Sequence, residues 1–267
     1  MIGVYFSKKN RALLAELVRT DFKLRYQGSM LGYAWSLLRP LLLFLILYIV
    51  FVKFLKIGKG IPHYPVYLLL GIVIWNFFSE MTNQSLTSIV GRGSLIRKIR
   101  IPRWIIILSS SVAAVINLLL NLIVVAVFAV VNHVELMSTI VWLPLILVEV
   151  YVFALGVSLF LSALYVKYRD VSYIWEVILQ AGFYLTPIIY PLALITNETL
   201  QKLIMLNPMG QAIQSARYSV VSHQTATAWQ VFDGGWYRFI PFIIVGAVFV
   251  FGLLYFKSEA RYFAENV

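Results

Sequence analysis

Apolar residues run through this chain in long, nearly unbroken windows, separated by short polar or charged segments, with no sustained alternation every second residue. A hydrocarbon layer about 30 Å thick is crossed by about 20 helical residues, so each long window predicts one crossing. Six windows emerge, at 31–52, 66–89, 105–131, 140–166, 171–187 and 239–256. The predicted fold class is an all-α integral membrane protein, and residues 1–267 read as a single transmembrane domain. The fifth window is the shortest and ends in "YLTPIIYP", where Pro187 and Pro191 each remove a backbone donor. A helix broken at membrane depth needs protein or water around its freed backbone groups.

Two further segments have patterns of their own. Residues 8–27 place Leu13, Leu14, Leu17, Val18 and Phe22 on one side of a helix, with Arg11, Arg19 and Lys23 elsewhere. That pattern predicts a helix lying in the headgroup plane, for which a simple membrane anchor is a sufficient role. Residues 188–238 alternate short apolar pieces ("LQKLIML", "AIQSARYSVV") with turn signals at Asn197, Asn207-Pro208 and Gly234-Gly235. The segment is too interrupted to span and too apolar for a free loop, so short helices dipping back into the outer leaflet are expected.

Composition sharpens this reading. Of 267 residues, 61% are hydrophobic and only 12% charged, far from the balance of a soluble domain. The net charge of +11 does not point to nucleic acid, because the cations lie between apolar runs, where anionic lipids and topology account for them. Placing both termini in the cytoplasm puts fifteen Lys and Arg inside, in 8–25, 91–103, 167–169 and 257–261, and six outside, at Lys53, Lys56, Lys59, Lys202, Arg217 and Arg238. The positive-inside rule selects that orientation. The charged N-terminal stretch has no apolar core of a cleavable signal, and the absence of cysteine excludes disulfides and thiol chemistry.

Candidate chemistry is sparse. There is no phosphate-binding G-x-x-x-x-G-K-[ST] loop, no H-E-x-x-H and no G-x-S-x-G elbow, so no catalytic site and no bound cofactor are expected in this chain. His63, His133 and His223 lie far apart with no ligand spacing, so no metal site is expected either. Ionisable residues inside spans are better leads, because lipid penalises them. Arg39 lies about eight residues, roughly 12 Å, above the inner start of the first span. Glu80 and Glu176 come at comparable depth and either could pair with it. Glu149 falls near the midplane with no cation at its level. Interhelical bonding, snorkelling and a permeation path are all open roles for these groups. Trp229, Trp236 and Tyr237 fit an interfacial belt. Tyr33, Trp35 and Tyr48 on the first span, with Phe183, Tyr184 and Tyr190 at the fifth, suit either sugar stacking or lipid-facing bulk.

Four stretches, "YQGSMLGYAWSLLRPLL", "GSLIRKIRIPRWIIILSS", "YLTPIIYP" and "LNPMGQAIQSAR", resemble in order and place the ABC-2-type permeases that export polysaccharides or teichoic acids. The resemblance covers nearly the whole chain. It implies a half-transporter of the bacterial plasma (inner) membrane, in which a homodimer of this subunit works with two copies of a separate cytoplasmic ATPase that holds ATP and Mg. It also implies an N-terminal interface helix, six spans and two short re-entrant helices between the last two. The loop between the second and third spans would then carry a coupling helix at 94–100, seated in the ATPase. Within it Ser94 begins the turn, Leu95, Ile96 and Ile99 would fill a groove, and Arg97, Lys98 and Arg100 would meet an acidic rim. A lipid-linked polymer would pass between two copies, its phosphates drawn by Arg25 and Arg39 and its sugars sliding over Tyr33, Trp35, Tyr48, Phe183, Tyr184 and Tyr190. Arg39 departs from the neutral residue often found before this proline, which leaves its role to substrate or to pairing. An exporter of small hydrophobic molecules shares this architecture. A secondary transporter or channel would show internal symmetry or denser intramembrane charge.

Overall fold

The computed structural model describes residues 8–26, 32, 34–56, 58, 60–98, 102–135 and 137–263, and among them the regular structure is entirely helical. The N-terminal helix α1 (Lys8–Tyr26) is followed by α2 (Ala34–Leu47), which continues as a π-helical turn over Tyr48–Phe54. Helix α3 (Tyr64–Gly91) leads into the six-residue α4 (Gly93–Lys98) and then into α5 (Trp104–Val131). A 3₁₀ turn (Ser138–Trp142) opens α6 (Leu143–Lys167), and α7 (Val171–Leu185) follows it. Three short helices, α8 (Glu198–Leu206), α9 (Pro208–Val220) and α10 (Ala228–Val231), precede the last helix α11 (Ile240–Glu259).

The centre of the molecule is α3. It starts at His63, whose left-handed backbone (φ 50°) turns the chain into a helix with proline in its first turn. Helices α2, α5, α6, α7 and α9 all pack on it, so its whole N-terminal half, Val66 to Trp75, is buried. It is the least apolar of the long helices and the most enclosed, because its polar side chains find partners inside the bundle. The Thr82 hydroxyl donates to the Phe78 carbonyl (2.9 Å) and accepts from the Trp175 indole (3.1 Å). Glu80 accepts from the amides of Asn117 and Gln84. Buried polar groups satisfied in this way fix how α3, α5 and α7 sit against one another.

Packing of α6 against α11 depends on two glycines. A Cβ at Gly156 would lie 2.6 Å from the Phe249 Cα, and one at Gly252 would run into the Gly156 carbonyl. Small residues let backbones touch where the hydrophobic effect between helices is weak. At the C-terminal end of α3, Ile89, Ile96, Ile106, Ile107, Phe256 and Phe263 form a second cluster, which ties α3, α4, α5 and α11 together.

Among the described residues, five helical stretches are long and apolar enough to cross a membrane: Ala34–Phe54, Tyr64–Gly91, Trp104–Val131, Ser138–Lys167 and Trp236–Glu259. The segment read as a fifth crossing, 171–187, differs. Helix α7 has 15 residues, about 22 Å at 1.5 Å per residue, which falls short of a full hydrocarbon layer. It stops because Thr186 turns extended (φ −83°, ψ 138°) ahead of Pro187, which restricts the residue before it and cannot continue the ladder.

Candidate functional site

Three groups of residues can now be placed, two of them predicted from the sequence. The first is at the inner end. Helix α1 packs along α5, with Leu17 buried and Arg11, Arg19 and Lys23 exposed. Its Asp21 forms an ion pair with Arg92 at the junction of α3 and α4. Arg92 also donates to the Ser109 hydroxyl (3.1 Å) on α5, and that hydroxyl reaches the other oxygen of Asp21 (3.3 Å). One cation of the basic loop is therefore a clamp between three helices. Sequence reasoning counted it only as a topological charge, and nothing in its spacing from Asp21, 71 residues away, marked the pair.

Helix α4 forms where the coupling helix was expected. It begins with the Leu95 and Ile96 amides both donating to the Arg92 carbonyl. Ser94 is exposed and Leu95 half-buried, whereas Ile96 is buried in the inner cluster. Ile96 is thus a seat for the loop on its own bundle, and does not face outward as expected. Leu95 is the apolar side chain left partly open. Ile99 and Arg100 lie outside the described residues, as do the side chains of Arg97 and Lys98.

The second group is the expected conduit lining. On α2, Trp35 (46% exposed) and Arg39 are open to the surroundings, and Tyr48 is half-buried with its ring 5.7 Å from Phe44. On α7, Tyr184 is 59% exposed, while Phe183 packs edge-on to Trp75 at 6.1 Å. Tyr190 donates to the Leu185 carbonyl (3.1 Å), and burial pushes its hydroxyl above the ordinary tyrosine value, which keeps it a neutral donor. Helices α2 and α7 both rest on α3 and both turn large apolar side chains outward: Leu45, Ile46 and Ile49 on one, Tyr173, Ile174 and Val177 on the other. Glu176 is exposed on α7, and Glu80 is engaged with Asn117 and Gln84, so the described residues show no ion pair from either to Arg39. Tyr33 and the Arg25 side chain lie outside the described residues.

The third group was not foreseen. Arg217, counted from the sequence as an outer-side charge, is 0% exposed. Its guanidinium donates to the carbonyls of Tyr67 (3.0 Å), Ile188 (2.6 Å) and Pro187, and to the Gln214 side chain (3.2 Å), while lying 3.6 Å over the Tyr67 ring. The Tyr64 hydroxyl takes the Ile189 carbonyl. The carbonyls freed by the "TPIIYP" break are thus satisfied one after another by α3 and α9, the shelter that a broken helix requires. Asn207 completes the corner: it caps α9 through the Met209 amide (3.0 Å) and donates to the Thr186 hydroxyl (3.2 Å). The signal available in the sequence was a lone cation inside an otherwise uncharged helix, PMGQAIQSARYSV.

A family model described as "ABC-2 type transporter" matches residues 12–221. An O-antigen export system permease protein, RfbA, of Klebsiella pneumoniae is 34% identical over 206 residues, 77% of this chain and 78% of that protein. The Myxococcus xanthus protein of the same description is 28% identical over 263 residues, 96% of both.

Proposed function

Since the chain belongs to the ABC-2 type transporter family, we propose that this multi-pass membrane protein is the permease subunit of an ATP-driven exporter of a lipid-linked polysaccharide. The observation that carries the reading is its likeness, over 96% of its length, to a permease described as exporting O-antigen. ATP, with Mg, is bound and hydrolysed by a separate cytoplasmic ATPase. Two copies of each subunit form the exporter in the inner membrane, with the termini of this chain on the ATPase side. Two features support that arrangement. The inner end presents a short helix, α4, clamped to α1 by Asp21 and Arg92. Helices α2 and α7 leave apolar and aromatic faces open, where a second copy would complete a passage.

Closure of the ATPases on ATP pushes α4 and α1 together. The spans then part between the two copies, and the polymer slides over the aromatic rings of α2 and α7. The α8 to α10 segment, dipping into the outer leaflet, closes the far end at rest.

The test is to co-purify the chain with the ATPase encoded beside it and to introduce Leu95→Asp. A carboxylate on the half-open position of α4 should cut complex recovery and polymer-stimulated ATP hydrolysis by tenfold or more, about 1.4 kcal/mol per factor of ten. Wild-type levels of both would overturn the coupling assignment.

A further inference from the structure

The 3₁₀ turn before α6, together with α6, α9, α10 and α11, lines a cavity of about 760 Å³ that the export reading does not use. It lies between α6, α9 and α11, roofed by Trp142 and Trp229, and its size falls in the range of small-molecule sites, about 300 to 1,000 Å³. One wall is apolar, with Leu145, Ile146 and Val245. The other is polar and descends from Thr139, Thr227 and Gln230 past Ser219 and Ser215 to Gln211 and Glu149.

Two polar atoms at the bottom lack partners: Glu149 Oε1 and Gln211 Oε1, the latter on a residue 2% exposed. Both are acceptors, one a carboxyl oxygen and the other an amide oxygen, and among the described residues no cation pairs with Glu149. Glu149 lies seven residues below Trp142 on the same helix, about 10 Å into the membrane, where an uncompensated carboxylate is strongly disfavoured. Its complement is a group that brings positive charge and several N–H donors on an apolar body. Beside the cavity, Arg238 stacks 4.3 Å over the lining residue Trp229, which puts a cation next to that wall.

We propose that this cavity binds a phospholipid with a primary ammonium headgroup. The ammonium reaches down the polar wall toward Glu149 and Gln211, the phosphate stays near Arg238, and acyl chain covers the apolar wall. The occupant is a membrane lipid because the cavity is flanked by residues exposed on the outer surface of the bundle, Leu145 and Val148.

The proposal depends on membrane insertion alone. Its test therefore uses neither ATPase nor polymer and can fail while the export reading stands. The full-length chain is purified in detergent, and its thermal unfolding is followed with added phosphatidylethanolamine, phosphatidylcholine or phosphatidylglycerol, with bound lipid identified by mass spectrometry. Phosphatidylethanolamine should raise the Tm of the wild type by several degrees over the other two lipids and should co-purify selectively. Glu149→Gln, which keeps shape and removes charge, should abolish that difference. Gly246→Leu is the second variant: the residue lines the cavity and a Cβ there meets open space, so the side chain takes up cavity volume while the carboxylate is kept, and it should also lose the selective lipid. An equal response to all three lipids in the wild type, or an undiminished preference in Glu149→Gln, would overturn the proposal; the latter would mean that the carboxyl is simply protonated.

Discussion

A single guanidinium carries much of the outer half. Arg217 reaches three carbonyls on two segments far apart in sequence, Tyr67 on α3 and the Pro187–Ile188 pair after α7. A lysine offers one compact ammonium and cannot serve all three at once. Arg217→Lys should therefore leave buried carbonyls unpaired at a cost of about 1 to 3 kcal/mol each, read as a Tm lower by several degrees in detergent. It should also bring faster proteolysis between residues 186 and 226. Gly252 makes the opposite kind of demand, since it is needed for what it lacks. Gly252→Val would insert a branched side chain against the Gly156 carbonyl and should cost about 1 to 3 kcal/mol by forcing α6 and α11 apart. The same change at Gly246, where nothing lies within 4 Å, should leave thermal stability in mixed detergent within about 0.5 kcal/mol of the wild type.

Among the elements, the decisive junction is where α1, the start of α4 and α5 share Asp21, Arg92 and Ser109. A partly exposed ion pair by itself contributes little to stability, about 0 to 1 kcal/mol. The expected effect of breaking it is accordingly not unfolding but a loss of register between α1 and α4. Asp21→Asn and Arg92→Gln should each keep the Tm within about two degrees while raising the ratio of ATP hydrolysed to polymer exported in reconstituted vesicles. The exchanged pair Asp21→Arg with Arg92→Asp should recover part of the coupling. If the singles export as well as the wild type, the junction is only a fastening.

Helix positions were the legible part of these elements. Long apolar windows locate α2, α3, α5, α6 and α11 within a few residues, because spanning a membrane imposes a length that any such window must meet. The end of α7 was half legible. Pro187 announces a break, but where its freed carbonyls go depends on Arg217 and Tyr64, and pairings across 29 to 125 residues leave no local pattern. The basic loop was read as a coupling helix whose apolar members fill a partner's groove, which is why Ile96 was assigned outward. Its burial follows from Ile89, Ile106 and Phe256, each on a different helix and none in register with it.

For the whole molecule, the proposed export function requires a second copy. The open faces of α2 and α7 lie to either side of the buried α3. Closing them against a twin would remove from lipid the aromatic and cationic side chains, Trp35, Arg39 and Tyr184, that the sequence marks for substrate. A cysteine at Tyr184 should therefore be protected from a membrane-permeant thiol reagent in the assembled exporter and become labelled when ATP and polymer open the passage. Equal labelling in both states would place the residue on a lipid face.

Helix α3, finally, runs without interruption for 28 residues, about 42 Å. Its inner terminus is the hinge of the basic loop, and its outer terminus supplies the Tyr67 carbonyl and the Tyr64 hydroxyl that hold the external corner shut. A stiff rod anchored at both ends behaves as a lever. Tilting it by a few degrees at Gly91 swings the far tip by some ångströms, enough to draw hydrogen-bond acceptors away from Arg217. In the proposed exporter the two ends of α3 are then mechanically one object, and the seal at the exit needs no messenger of its own to learn what has happened at the ATPase.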